Sequence, residues 1–167
     1  LETLDEKEVK SGFAEVLKHG LIASKDYWEN INSKDDVLNQ AEYMIKGSVS
    51  IKSSIVDRDP NEDNIRKHLN FGHTLGHAIE SYSHKMMERP MLHGEAIARG
   101  IILESYLSHR ISGLKKRYLS DIKEVIKKHF ELKKFSGSEQ NNIIDLLRYD
   151  KKNKDGKVLF VLLNDMG

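Results

Sequence analysis

The chain has 167 residues, of which 38% are hydrophobic and 32% charged, and its formal net charge is +1. This length suits one domain with its own core, and so balanced a charge gives no reason to expect nucleic acid as a partner. Cysteine is absent, which excludes disulfides, thiolate metal sites and cysteine nucleophiles. No stretch reaches the roughly 18 apolar residues of a membrane span and no signal peptide is recognisable, so we expect a cytoplasmic protein without a membrane partner.

The predicted elements are helices almost throughout. Apolar residues recurring at steps of three and four indicate them, in chain order, at 11–24, around Trp28, at 35–56, around 73–79, at 95–109, at 113–132 and at 138–152. Ser11 and Ser138 are the predicted N-caps of two of these helices. The segments 57–64 and 81–90 are predicted as exposed connections, and 157–163 has the continuous apolar character of a strand. The predicted fold class is therefore mainly α, with one short C-terminal β element.

Glu15 and Lys18 lie one turn apart in the first predicted helix. A spacing of three residues is typical of an ion pair on a helix surface, worth about 0.2–0.5 kcal/mol. Their spacing alone therefore indicates nothing beyond a surface ion pair.

Three histidines lie within twenty-one positions, at His73, His77 and His93. His73 and His77 are four residues apart, so they share one face of a helix. Gly72 and Gly76 precede them, and since glycine costs a helix about 1 kcal/mol relative to alanine, they indicate close approach by another backbone or by a ligand.

Converging neutral imidazoles usually bind a metal ion. Spacing alone nominates His73 and His77 as a ligand pair, completed by His93 and one carboxylate, either Glu15 or Glu95. The motif HTLGH lacks the glutamate of HExxH metalloproteases, so a zinc protease is not indicated. A hydrogen-bonded core cluster is the alternative to a metal site. The other five histidines are interpreted as structural or surface residues: His19, His68, His84, His109 and His129.

Four segments in the same order resemble the 3-dehydroquinate synthase family: SGFAEVLKHGLI, KSSIVDRD with a later Arg, LNFGHTLGHAIE followed by LHGEAIARG, and YDKKN followed by GKVLFVLL. They cover the family's helical C-terminal domain almost end to end. The resemblance implies that residues 1–167 form a single metal- and substrate-binding domain, and that a nucleotide-binding α/β domain precedes Leu1 in the intact two-domain enzyme. Pro60 and Asn64 replace a Glu and a Gly of the family, which implies a different loop shape.

The resemblance also implies a ligand set that differs from the one suggested by spacing. It assigns Zn²⁺, or another divalent ion such as Co²⁺, to Glu15, His73 and His93, and it places His77 against the substrate. The substrate-binding residues that it implies are Lys18, Lys52, Arg66, Asn70, His77 and one of Lys151 or Lys152, with Lys152 favoured. Thr3 is the residue that it places near NAD⁺.

The implied reaction converts 3-deoxy-arabino-heptulosonate 7-phosphate into 3-dehydroquinate and phosphate, a carbon–oxygen lyase step of the shikimate pathway to chorismate and the aromatic amino acids. NAD⁺ oxidises a hydroxyl, phosphate is eliminated, the ketone is reduced again and the ring closes by an aldol step. The intact enzyme is expected to be a homodimer, and this chain alone is not expected to turn over. The alternatives are another sugar-phosphate cyclase, a metal-dependent polyol dehydrogenase, or a non-catalytic metal-binding helical domain.

Overall fold

Seven α-helices make up most of the chain that a computed structural model describes, which is residues 5–32, 40–148 and 157–167. In chain order they are α1 (Glu6–Ala23), α2 (Lys25–Asn32), α3 (Ala41–Arg58), α4 (His73–Met86), α5 (His93–Leu107), α6 (Lys116–His129) and α7 (Gly137–Arg148). A 3-10 helix (Ile65–Asn70) precedes α4, and a π turn (Ser108–Ser112) extends α5. The predicted mainly α fold class is confirmed. None of these helices combines the length and apolar character needed to cross a membrane.

The central helix is α5. Residues 96–101 are all buried, and α1, α4 and α6 pack around them. Leu17 and Leu21 of α1 meet Ile97 and Ile101 of α5 in the main core. The elements that carry the candidate site are therefore held by one shared apolar interior.

Two glycines of α5 allow neighbouring backbones to come into contact. A Cβ atom at Gly100 would lie 1.9 Å from the carbonyl oxygen of Gly72, and one at Gly94 would lie 2.2 Å from the carbonyl oxygen of Ser11. Gly72 has φ +79°, a left-handed conformation that glycine adopts at little cost. The glycines beside the histidines were predicted to allow close approach by another backbone or by a ligand. The structure shows the approach of another backbone.

The first turn of α4 is held by a buried carboxylate from α5. Glu104 is fully buried, and its carboxylate accepts hydrogen bonds from the N–H groups of Gly72 (2.7 Å) and Leu75 (3.0 Å). These N–H groups have no partner within the helix, and Gly72, the N-cap, has no side chain to supply one. Burial raises the pKa of Glu104 to about 7, while the backbone donors act in the opposite direction.

Ser11 is not the N-cap of the first helix. That role belongs to Asp5, whose carboxylate accepts the N–H of Lys7 at 3.2 Å. Ser11 lies inside α1, and its hydroxyl accepts the N–H of Gly94 at 2.8 Å, in the first turn of α5. The predicted N-cap was therefore wrong, and the Ser11 hydroxyl instead satisfies an N–H group at the start of a helix 83 residues further along the chain.

Residues 81–86 belong to α4, so the prediction of an exposed connection there was wrong. Tyr82 and Ser83 are buried. The Tyr82 ring packs edge-on against Phe135 with 6.2 Å between centroids. Tyr82 follows Ile79 by three residues and extends the same apolar face, which explains why the helix continues.

The serine that caps the start of the last helix, α7, is not the one predicted. Ser136, and not Ser138, forms a capping box with Glu139: the Ser136 hydroxyl accepts the Glu139 N–H (3.4 Å), and the Glu139 carboxylate accepts the Ser136 N–H (2.6 Å).

The predicted β element is reduced to a single bridge residue, Lys157, and residues 158–163 form no ladder within the described part of the chain. Side chains hold this segment against the helices instead. The Leu163 N–H donates to the hydroxyl of Ser108 in the π turn at 3.0 Å, and the Thr74 hydroxyl donates to the carbonyl of Leu159 at 3.1 Å.

Candidate metal and substrate site

Three histidines converge where α4 and α5 begin. His73 opens α4, His77 follows one turn later, and His93 opens α5. One nitrogen from each ring lies within 4.8 Å of the other two, and the centroids of the His73 and His93 rings are 5.7 Å apart. The predicted convergence is confirmed, while the choice of ligands among the three stays a prediction.

Glu15 reaches the same place from α1. Its Oε1 lies 3.5 Å from Nε2 of His73, and its Oε2 lies 2.6 Å from Nζ of Lys18. Oε1 is buried and makes no hydrogen bond with any described residue. A buried carboxylate oxygen without a donor, facing an imidazole nitrogen, fits a site for a divalent cation.

Glu95, the other carboxylate considered from spacing, is engaged elsewhere. Its Oε2 accepts the N–H of Leu92 at 2.9 Å and closes the first turn of α5. The geometry therefore favours Glu15 over Glu95 as the carboxylate of the cluster.

The protonation states around the cluster suit metal ligands. Burial, followed by the nearby Lys18 charge, lowers the pKa of His73 to about 4, so its ring is neutral at pH 7. Burial by itself would raise the pKa of Glu15, but the charge and hydrogen bond of Lys18, together with smaller effects of His73 and His19, outweigh it and leave that pKa below its ordinary value. Metal binding needs a neutral imidazole and an ionised carboxylate, and both are present.

Lys18 is not part of a surface ion pair, contrary to the plain interpretation of its spacing. Its side chain is 3% exposed, against 32% for Glu15. Burial lowers the pKa of Lys18, and the Glu15 carboxylate acts against that effect. A lysine this buried keeps its charge only where a partner compensates for lost hydration.

A polar cavity of about 220 Å³ opens beside Glu15 and His73. Residues from α1, α3, the loop that follows α3, the 3-10 helix and α4 form its wall: Glu15, Lys18, His19, Lys52, Glu62, Arg66, Leu69, Asn70 and His73. Four residues implied for substrate binding, Lys18, Lys52, Arg66 and Asn70, are thus brought together. Lys152, with its alternative Lys151, and Thr3 lie outside the described residues.

The loop that delivers Arg66 to the cavity is organised by Asp59. The Asp59 carboxylate accepts the backbone N–H groups of Asp63 (2.9 Å), Asn64 (2.7 Å) and Arg66 (2.9 Å). These donors, the Arg66 N–H first, hold the pKa of Asp59 below its ordinary value. The guanidinium of Arg66 donates to the carbonyl of Pro60 at 2.6 Å, so the loop keeps its arginine at the cavity despite its unusual sequence.

Two cavity residues were missed by the sequence reasoning. Glu62 has φ +60°, uncommon outside glycine, and its carboxylate accepts the side-chain N–H of Asn70 at 2.7 Å. His19 is buried, with Nδ1 2.7 Å from the Ser48 hydroxyl and Nε2 lacking a hydrogen bond to the part of the chain described. Burial, followed by Lys18, lowers the pKa of His19 to about 4. Neither residue belongs to a periodic pattern that could have revealed it.

Fold and site together define a helical domain with a histidine-rich candidate metal centre. A family model described as "3-dehydroquinate synthase C-terminal" matches residues 12–153. The chain belongs to this family.

Similar proteins of known name agree with that assignment. The 3-dehydroquinate synthase of Parabacteroides distasonis is 42% identical over 100% of this chain and 48% of its own length. The 3-dehydroquinate synthase of Bacillus pumilus is 38% identical over 100% of this chain and 46% of its own length. The chain therefore spans about half the length of the curated relatives that it matches.

Solved structures share the fold at lower identity. A 2-epi-5-epi-valiolone synthase from Streptomyces hygroscopicus subsp. jinggangensis, with NAD⁺ and Zn²⁺ bound, has a TM-score of 0.76 at 21% identity, over 99% of this chain and 47% of that chain. A 2-deoxy-scyllo-inosose synthase complexed with carbaglucose-6-phosphate, NAD⁺ and Co²⁺ has a TM-score of 0.76 at 24% identity. The match covers 100% of this chain and 47% of that chain. These similarities show the fold.

Proposed function

We propose that this chain is the metal- and substrate-binding half of a 3-dehydroquinate synthase, which converts 3-deoxy-arabino-heptulosonate 7-phosphate into 3-dehydroquinate and phosphate in the shikimate pathway. The observation that carries the proposal is the cationic cavity directly beside the Glu15–His73 pair. Residues 1–167 would form one domain of a cytoplasmic, homodimeric carbon–oxygen lyase. Because NAD⁺ would be held mainly by a nucleotide-binding domain outside this chain, with Thr3 nearby, the chain alone is not expected to turn over.

The metal would be held by Glu15, His73 and His93. Two observations support that choice. Oε1 of Glu15 is buried and accepts no hydrogen bond from any described residue, and the ring of His73 is neutral. A bound Zn²⁺ or Co²⁺ would supply Lewis-acid polarisation of a substrate hydroxyl or ketone oxygen. His77, one turn along α4, would then hydrogen-bond to the substrate.

The cavity wall suits a polyanionic sugar phosphate. The planar guanidinium of Arg66 can donate two parallel hydrogen bonds to a carboxylate or phosphate, while Lys18 and Lys52 act as point charges. Lys18 spends one N–H on Glu15 and has two further donors for a ligand. Asn70 is oriented by its hydrogen bond to Glu62. Lys152 completes the proposed set.

A second candidate is another sugar-phosphate cyclase, which the structural similarity to a carbaglucose-6-phosphate complex favours. The sequence relatives at 42% and 38% identity, all named 3-dehydroquinate synthase, favour the first proposal. A chimera of this chain with the other half of the Parabacteroides distasonis relative would separate the two. We expect it to release phosphate from the heptulosonate phosphate and not from glucose 6-phosphate.

The ligand set is tested by zinc stoichiometry from elemental analysis of four variants. Glu15→Ala, His73→Ala and His93→Ala should lose zinc, whereas His77→Ala should retain it. The exposed His84, on the last turn of α4, provides the control His84→Ala, which should also retain zinc. Loss in His77→Ala together with retention in Glu15→Ala would show instead that the ligand pair inferred from spacing is correct.

The cationic cavity is tested by calorimetric titration with inorganic phosphate. We expect binding at millimolar concentrations that Lys52→Ala and Arg66→Ala each weaken. Lys123→Ala, which removes an exposed lysine of α6, should leave the binding heat unchanged. Absence of heat with the wild-type chain would contradict phosphate recognition by this cavity.

A further inference from the structure

We propose that Glu80 is a positioning residue of the candidate metal centre: it holds the His93 ring in the orientation and tautomer that presents Nε2 to a metal. The inference rests on the proposed metal-binding function and adds a residue that neither the spacing nor the family resemblance singled out. It comes from the hydrogen bond on the far side of the His93 ring.

Glu80 lies on the same face of α4 as the histidines. It follows His73 by seven residues and His77 by three, so the three side chains line up along the helix. Nδ1 of His93 lies 3.1 Å from Oε2 and 3.3 Å from Oε1 of Glu80. Both carboxylate oxygens therefore face one ring nitrogen across the gap between α4 and α5.

This contact determines which nitrogen of His93 carries the proton. An ionised carboxylate can only accept hydrogen bonds, so Nδ1 of His93 must be the donor to Glu80. In a neutral ring the lone pair is then on Nε2. A lone pair on Nε2 is what a metal ion requires, and the carboxylate increases the electron density available there.

His73 has a similar arrangement, with a different acceptor. Nδ1 of His73 lies 3.2 Å from the carbonyl oxygen of Phe71, which also can only accept. The lone pair of His73 is therefore on Nε2, which faces the orphaned Oε1 of Glu15 at 3.5 Å. Two lone pairs that face each other in this way repel unless a cation lies near both.

The two histidines differ in how much packing holds their rings. The side chain of His73 is 14% exposed, whereas that of His93 is 43% exposed. Because the His93 ring is the more exposed of the two, packing restrains it less, and its orientation depends more on its hydrogen bond to Glu80. Removal of such a restraint on a metal-binding histidine typically costs about 10–100-fold in metal affinity.

The test compares metal affinity in Glu80→Ala, Glu80→Gln and a matched control. Zn²⁺ and Co²⁺ dissociation constants are measured by competition with a chromophoric chelator, and each metal-free protein is checked by thermal unfolding. We expect Glu80→Ala to bind about 10–100-fold more weakly. Glu80→Gln should lose less metal affinity, because its amide oxygen still accepts a hydrogen bond. Some loss should remain, because the amide carries no charge. Glu124→Ala, at an exposed glutamate of α6, should bind as the wild type does.

A second readout follows the tautomer directly and does not need metal. Long-range ¹H–¹⁵N correlation spectra of the metal-free wild type should show His93 protonated at Nδ1. In Glu80→Ala we expect a shift towards protonation at Nε2, the form that unrestrained neutral imidazoles prefer. A merely structural effect of Glu80 on folding would not move this signal selectively.

The outcomes are distinguishable. If Glu80→Ala binds metal as tightly as the wild type while His93→Ala loses it, the metal centre stands and the role of Glu80 is overturned. An unchanged His93 tautomer in Glu80→Ala would overturn it equally. If the wild-type chain itself binds neither Zn²⁺ nor Co²⁺, the proposed metal centre fails and this inference fails with it.

Discussion

Two glutamate–lysine pairs in this chain have the same distance between nitrogen and oxygen but differ in how deeply they are buried. Lys18 lies 2.6 Å from Glu15, and Lys46 lies 2.6 Å from Glu42. The Lys18 side chain is 3% exposed and the Lys46 side chain is 75% exposed. An exposed pair contributes at most about 1 kcal/mol, whereas removing the buried cation leaves a half-buried carboxylate without its compensating charge.

We therefore expect Lys18→Met to lower the free energy of unfolding at pH 7 by about 1–3 kcal/mol, the cost of an unsatisfied polar group. Lys46→Met should change it by less than about 0.5 kcal/mol. Urea titration of both variants measures the difference. Equal losses in the two variants would mean that burial does not distinguish the pairs.

The Lys18→Met deficit should depend on pH. In the wild type the pKa of Glu15 is lowered on folding, so its contribution is present above its ordinary pKa and is lost as pH falls. In the variant the Lys18 effect, the largest of those that lower the Glu15 pKa, is lost. Burial then raises that pKa relative to the wild type, and protonation relieves the strain of an uncompensated anion. The deficit should thus shrink from pH 7 to pH 4, and a constant deficit would contradict this account.

At the scale of helices, the approach of α4 to α5 depends on a missing side chain. A Cβ atom at Gly100 would lie 1.9 Å from the Gly72 carbonyl oxygen, whereas one at Gly12 of α1 would meet nothing within 4 Å. Gly100→Ala should destabilise the chain by about 1–3 kcal/mol through overpacking and weaken metal binding by moving His73. Gly12→Ala should stabilise it by about 0.5–1 kcal/mol. Thermal unfolding of the two variants provides the comparison, and similar shifts in both would refute it.

The loop between α3 and the 3-10 helix should be sensitive to acid. The backbone donors lower the pKa of Asp59 in the folded chain, so the stability that Asp59 contributes is present above pH ~4 and is lost as pH falls through the lowered value. Asp59→Asn should be less stable than the wild type at pH 7, with the gap closing towards pH 3. Asp121→Asn, on the exposed face of α6, serves as the control in urea titrations. A gap that widens in acid would contradict the assignment.

At the scale of the whole molecule, the candidate metal centre joins three helices. Glu15 belongs to α1, His73 to α4 and His93 to α5. A metal that binds only the folded chain stabilises it by about 2.7 kcal/mol when present at 100 times its dissociation constant. Adding Zn²⁺ should therefore raise the unfolding temperature, and a chelator should reverse the rise. His73→Ala should respond to neither, and an equal response in that variant would place the bound zinc elsewhere.

Local patterning was sufficient for much of this molecule. Apolar steps of three and four predicted the helices, because a helix buries one face and that requirement appears directly in neighbouring residues. The same patterning placed His73 and His77 on one face, and with His93 it predicted a cluster that the structure brings together. The quoted motifs indicated the family that the comparisons confirmed.

Three-dimensional packing decided the rest. Four features depend on groups far apart in the chain: the burial of Lys18, the helix that Ser11 caps, and the carboxylates that face His73 and His93. Ser11 and Gly94, for example, are 83 residues apart. Hydrogen bonds and burial at such distances leave no periodic trace, because they arise only when separate helices meet. Helical periodicity follows from one element at a time, whereas the charge and orientation of the candidate ligands follow from how α1, α4 and α5 pack together.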